Sequence, residues 1–358
     1  MCENLIMKYI SITKISLFLS IACVLCSCES QKKYTQVQVE PILSDSLNIR
    51  AIEVVSDQEI WFAANRGRIG VYNGRELAQI VLHHNDSLLH FRSIAHNGIH
   101  AFALTIDRPA LLYRLTYDGK QIINAELVYK EDAPKVFYDA IGFWNQKEGI
   151  AVGDPTEDCL SVIITRDAGA TWQKLACEQL PSSIDGEALF AASNSSLALF
   201  GDQALIGSGG TAARVFKTTD KGKSWSVVPT PITQGASMQG IFSVAVYNQD
   251  IAALFGGDWD QQENNANNKA VTLDGGQKWE LLSPEQGPGY RSCVRFVPGA
   301  KGRSLVAVGT RGISVSYDQG HNWTPLSDTS LYTLRFVNDT LAYGGGPGTF
   351  SRLNFEKR

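Results

Sequence analysis

Short apolar runs alternate with polar turns along most of the chain, and no stretch from residue 34 onward keeps a helical period. The pattern is paired. "AIEVVSDQEIWFAAN" (51–65), "DAIGFWNQKEGIAVGD" (139–154), "ALFAASNSSLALFGD" (188–202), "FSVAVYNQDIAALFGGD" (242–258), "VRFVPGAKGRSLVAVGT" (294–310) and "LRFVNDTLAYGGG" (334–346) each read as strand, polar turn, apolar strand. The second run of each pair is almost continuously apolar and ends in small residues. That suits a strand buried on both faces whose end lies near a crowded axis. Such pairs are expected to start near residues 48, 90, 138, 187, 241, 291 and 332.

Each pair is followed by a turn that the chain writes four times in nearly the same words: "TRDAGATW", "TTDKGKSW", "TLDGGQKW" and "SYDQGHNW". Their aspartates, Asp167, Asp220, Asp274 and Asp318, are separated by 53, 54 and 44 residues. The glycines Gly169, Gly222, Gly276 and Gly320 and the tryptophans Trp172, Trp225, Trp279 and Trp323 keep the same steps. Fainter copies centre on Asn73 and Asp118. Repeats of this length made of short strands predict an all-β fold, a single β-propeller, with seven four-stranded blades over residues 34–358. The last unit lacks an outer strand, and "YTQVQV" (34–39) has no unit of its own, so the N-terminal strand is expected to close the ring.

The repeated turn resembles the Asp-box, or bacterial neuraminidase repeat. An Asp carboxylate there bonds turn amides, Gly takes a positive φ, and the Trp packs between blades. The whole stretch from residue 34 is similar to secreted bacterial propellers of the photosystem II stability/assembly-factor-like group. That resemblance implies a binding or assembly scaffold. The "oxidoreductase" label some of that group carry has no motif behind it here: "GSGGTA" and "GGGPG" lack the strand–helix setting of a dinucleotide fingerprint. Asp-boxes also occur in sialidases, yet no Arg-Ile-Pro motif is present; Arg50, Arg92 and Arg291 fall near the starts of inner strands, at the channel mouth.

Candidate chemistry concentrates where units lengthen. "GDPTEDCLS", "GDQALIGSGGTAAR" and "GGDWDQQENNANNK" read as insertions between second and third strands of units three to five. With the loops that enter the next inner strand, they are expected to bring Asp154, Glu157, Glu187, Asp202, Asp258, Trp259, Asp260, Tyr290 and Arg291 to one face of blades three to six. The first reading is a surface that binds a protein or glycan partner, centred on Trp259, Asp258, Asp260, Arg291, Tyr290, Glu187 and Asp154. The alternative is a glycoside hydrolase using Asp154, Asp202, Asp258 and Glu187, which needs two carboxylates about 5–10 Å apart. No cofactor and no metal are expected. His83, His84, His90, His96 and His100 lack ligand spacing and read as solvated surface.

The N-terminus changes the setting. Lys8 and Lys14 precede a short apolar run ending in Leu25-Cys26-Ser27-Cys28, which resembles a bacterial lipobox. Residues 1–27 then form a signal peptide, Cys28 carries the acyl chains, and 28–33 is a tether; the protein is expected to be exported and anchored in the cell envelope, on its periplasmic or outer side. Membrane attachment is expected through that anchor only. In an oxidising compartment Cys159 and Cys177, symmetric about the first clear turn, either bridge or stay as buried thiols. Cys293 is expected to stay free. A net charge of −4 gives no electrostatic reason to bind nucleic acid, and a monomer is expected.

Overall fold

The repeat pattern builds antiparallel sheets whose strands follow chain order outward from a common axis, as in Tyr138–Phe143, Gly149–Gly153, Ser161–Thr165 and Gln173–Lys174. The computed structural model describes residues 33–358, so the leader and Cys28 lie outside the described residues. The inner strands touch their neighbours around the axis, and the chain forms a single all-β propeller. Its second strands are fully buried, as their apolar runs require. Hydrophobic clusters fill the gaps between adjacent sheets.

The blade count differs from the expectation. Counted by hydrogen-bonded sheet there are six blades, not seven, with a small two-stranded ribbon, His83–His84 with Ser87–Leu88. The cause is one long strand, Tyr34–Ser56. Its first half pairs with the second limb of Leu341–Lys357, and its second half pairs with Glu59–Ala64. The first and last repeat units are thereby fused into one six-stranded sheet. Tyr34 anchors this seam through its ring, 4.9 Å from that of Phe355.

The repeated turns are built from side-chain hydrogen bonds. In the first, the Gly169 amide donates to Thr165 Oγ1 (2.9 Å), and the Thr171 amide and hydroxyl donate to Asp167 Oδ1 (2.9 Å) and Oδ2 (2.6 Å). Gly169 has φ +78°, a conformation that costs a Cβ-bearing residue energy. Asn322 reproduces the missing hydroxyl of the last copy by donating from Nδ2 to Asp318 Oδ2 at 2.7 Å. Lys278, in the third copy, supplies only its backbone amide, 3.0 Å from Asp274 Oδ1. Each Trp packs against the preceding blade: Trp172 meets Phe102, and Trp323 meets Phe255.

Unit four departs most from the sequence reading. The segment near residue 187 is not its inner strand; that strand is Leu197–Phe200, followed by Gln203–Gly207. The preceding residues, Ala191 to Ser196, instead cross the axis as a buried plug. Ser193 Oγ donates to Ser292 O (2.6 Å), Ser195 Oγ to Ser243 Oγ (2.9 Å), and Arg335 donates to the carbonyl of Asn194 (3.1 Å). Asn194 itself, at φ +52°, accepts from the Ile141 amide (2.9 Å) and donates to the Ile94 carbonyl (2.8 Å). Asn is among the few side chains that tolerate such a φ. Asn194→Ala would leave a buried amide and a buried carbonyl unpaired, and is expected to lower unfolding free energy by roughly 2–6 kcal/mol, summing about 1–3 for each orphaned group. Urea melts of both proteins check this; equal midpoints would show that the plug is not holding the inner strands.

Candidate functional site at the channel mouth

The plug divides the axial channel in two. On the side where the chain enters its inner strands, the floor is Ala188 to Ala192, and above it lies a cavity of about 420 Å³. One wall is aromatic. Phe190 and Phe242 stack at 3.8 Å, Tyr290 meets Phe242 edge-on at 4.7 Å, and Trp259 meets Tyr290 at 5.3 Å. The opposite wall carries Arg50 and Arg92, at the starts of inner strands where the sequence placed them. Arg50 lies 3.8 Å over the ring of Tyr332 and donates to the carbonyl of Ala192 (3.2 Å), while its Nε is buried without an acceptor.

Two carboxyl groups complete this mouth. Asp154 lines the cavity and accepts the Leu189 amide at 2.7 Å, which ties the floor to unit three. Asp139 is fully buried, and among the described residues neither carboxyl oxygen has a hydrogen-bond partner. Burial raises Asp154 to about 6. Burial, reinforced by Asp154, pushes Asp139 well above the usual carboxylate range, and Arg92 only partly offsets this. Arg92 is drawn down to about 10 by burial and then by the charge of Arg50. Burial therefore outweighs pairing for each of these three groups.

Beside the cavity, and sharing Asp154 and Ala188 with it, runs a groove of about 590 Å³ along Glu157, Asp158, Asp185 and Glu187. Its outer rim is fixed by a disulfide between Cys159 and Cys177, whose Cα atoms are 5.5 Å apart. Cys177 lies beyond the fourth strand, in a single 3-10 turn, so the bridge clasps the insertion of unit three to the loop leading into unit four rather than a hairpin. Cys293 is free and buried.

Of the residues expected on this face, Asp154, Trp259 and Tyr290 line the cavity. Tyr290 is fully buried rather than exposed. Arg291 is a correction: it is buried, donating to the carbonyl of Tyr290 (2.9 Å) and to Ser314 Oγ (3.3 Å), so it braces the scaffold. Glu187 is buried in an ion pair with Arg214 and accepts from Ser208 Oγ (2.5 Å). Asp258 accepts the amides of Asp260 (2.8 Å) and Gln261 (3.2 Å) and so shapes its own loop, on which Asp260 is exposed. Asp202 sits in the turn between the first two strands of unit four, at the opposite face, 3.4 Å from Lys221. Of the four carboxylates nominated for hydrolysis, Asp154 and Glu187 line the same groove, with Glu187 held by Arg214, while Asp258 is committed to its own loop and Asp202 lies on the opposite face. His96 is another correction, since its side chain is only 9% exposed and lies 3.5 Å from Glu59. Among the described residues no cluster of His, Cys, Asp and Glu could hold a metal, and no helix is long and apolar enough to cross a membrane.

Sequence reasoning missed Asp139, Phe190 and Phe242. "YDAIGF", "ALF" and "GIF" look like ordinary strand starts, and only the course of the plug turns the two phenylalanines toward the axis.

No protein-family model matches the chain, and no curated protein matches it in sequence. Its fold is shared widely among solved structures. It is similar to a structure titled "YCF48 bound to D1 peptide", with a TM-score of 0.63, 12% identity, and coverage of 90% of this chain and 96% of that one. It is also similar to YCF48 from Cyanidioschyzon merolae (TM-score 0.59, 13% identity, 90% and 99% covered) and to streptogramin B lyase (TM-score 0.66, 11% identity, 90% and 99% covered). At these identities the likeness establishes the class, a β-propeller.

The raised carboxyls predict how stability responds to pH. A carboxyl whose folded value exceeds its unfolded value near 3.8 favours the fold while protonated and loses that contribution as pH rises. Unfolding free energy should therefore fall between about pH 4 and 6 through Asp154, and further above that through Asp139. Asp154→Asn should flatten part of the fall below about pH 6, and Asp139→Asn should flatten it from about pH 4 upward, above pH 6 included. Denaturant titrations from pH 4 to 8 test this; an unchanged slope in both variants would contradict the assignment.

Proposed function

We propose that this protein is a non-enzymatic binding scaffold that holds a segment of a protein partner at the plugged channel mouth. The observation that carries the reading is the cavity itself: an aromatic wall facing two arginines, reached by Asp154 alone of the four candidate carboxylates. Apolar side chains gain from such a wall, and arginine donors can receive backbone carbonyls or acidic groups of a ligand. The acidic groove alongside suits a cationic residue flanking the inserted segment. A propeller of the same fold has been seen with a peptide, YCF48 with D1 peptide, which supports a protein over a glycan as the ligand.

The hydrolase alternative is weaker. Only Asp154 of its four carboxylates reaches the cavity, and its neighbour Asp139 is sealed from solvent. We propose further that Cys28, in the segment that resembles a lipobox, anchors this scaffold in the cell envelope through acyl chains.

Tagged wild type should retain a specific partner from native envelope extracts. Trp259→Ala and Arg92→Ala should weaken that retention by roughly 1–3 kcal/mol each, the usual cost of truncating an aromatic or arginine anchor. Melting curves control for folding, and undiminished retention by both variants would place the functional face elsewhere. Separately, wild type should partition into detergent and carry the mass of acyl chains, whereas Cys28→Ala should not; a soluble, unmodified wild type would overturn the anchor.

A further inference from the structure

The plug leaves a second chamber on its other side, about 290 Å³, at the ends of the inner strands rather than their starts. Glu53, Arg295 and Arg335 bring charge into it, and Ile141, Phe143 and Leu199 supply apolar wall. The two arginines are not equivalent. Arg335 is committed to the scaffold, donating to Thr333 Oγ1 (3.0 Å) and to the carbonyls of Leu334 (2.9 Å), Ser193 (3.3 Å) and Asn194 (3.1 Å). Among the described residues Arg295 donates only to the carbonyl of Val244 (3.2 Å), and its Nε is buried with no acceptor.

Charge in the chamber does not cancel. No ion pair within 4 Å joins Glu53 to either arginine among the described residues. Burial lifts the Glu53 carboxyl to about 7 against the pull of Arg335 and Arg295, so near neutral pH it is only partly ionised. Burial, and then Arg335, lowers Arg295 to about 10, which still leaves it cationic. His96, the remaining titratable group lining this chamber, is lowered by burial against the pull of Glu59; its Nδ1 accepts from the Gly98 amide at 2.9 Å. Two buried guanidiniums thus face one partly protonated carboxyl, and one of them has donors to spare.

We infer that this chamber is a second ligand site, built for a small organic anion with a carboxylate head and a short apolar body. A guanidinium fork matches a carboxylate's two oxygens, and low surrounding polarity strengthens that pairing. Ile141, Phe143 and Leu199 border the otherwise mostly polar chamber and give a short aliphatic tail a small apolar surface that a bare inorganic ion could not use. The plug separates this site from the channel-mouth cavity, so it stands or falls independently of the proposed partner.

Calorimetric titration of the full chain in detergent tests the inference, with butyrate, butyramide and inorganic phosphate as probes. Butyrate is expected to bind at one site, butyramide not measurably, and phosphate at least roughly tenfold more weakly. Arg295→Gln, which keeps side-chain bulk, should weaken butyrate by roughly tenfold or more at an unchanged melting temperature, as loss of a charge-assisted bond does. Arg295→Lys should retain part of the affinity, and Trp259→Ala all of it. Butyramide binding as well as butyrate, an Arg295→Gln variant binding like wild type, or no butyrate binding at tens of millimolar would each overturn the site. Phosphate binding as tightly as butyrate would overturn the organic-anion assignment, and loss of butyrate binding in Trp259→Ala would move the anion to the other chamber.

Discussion

The hydrogen bonds of Asn194 across the axis set the terms for the rest of this structure. A ring of sheets leaves an axial channel whose inner strands have no partner on their open side. Here a short buried segment of the chain fills it, and one amide side chain ties the inner strands of units two and three to unit four. Ser193, Ser195 and Arg335 extend the same network to the other side of the ring. Small serines and alanines suit this position because the inner strands converge there. Ser193, Asn194 and Ser195 find partners there, which is the condition for burying a polar group without large cost. The Ser196 hydroxyl, by contrast, is buried with no hydrogen-bond partner among the described residues.

Both cavities follow from the plug. It floors the upper one with Ala188 to Ala192 and turns Phe190 onto Phe242, so an aromatic surface forms where sheets alone would leave an open tube. It closes the lower one with Asn194 and takes up the donors of Arg335, leaving Arg295 underused. The two chambers differ in chemistry because different residues of the inner strands reach them. Strand starts contribute Arg50 and Arg92, with Asp139 sealed nearby; strand ends contribute Glu53 and Arg295.

Electrostatics at the upper mouth is governed by burial more than by pairing. Arg92 and Asp139 attract one another, yet burial still raises the acid and lowers the base. Such a site holds charge at a cost to stability, a cost that a ligand with complementary groups would reduce. The insertion loops beside it are held by covalent and ionic means instead, through the Cys159–Cys177 bridge and the Glu187–Arg214 pair. Both keep a solvent-facing rim in place where the hydrophobic core is thin.

The sequence by itself determined the class of fold. Paired apolar runs at a repeating spacing can bury both faces only between neighbouring sheets, and the Asp turns have a local geometry that needs no distant contact. It also determined the entry of Arg50 and Arg92 near the mouth, because the starts of inner strands must converge. Tertiary structure decided what local pattern cannot express. "AASNSS" reads as a polar turn, and only its bonds to residues some 50 to 140 positions away make it a plug. Glu187, Asp258 and Arg291 looked free for a ligand because their partners, Arg214, the loop amides and the Tyr290 carbonyl, are matters of packing and not of composition. The fusion of first and last units depends likewise on Tyr34–Ser56 running unbroken through two pairings, a register settled only when the ends of the chain meet.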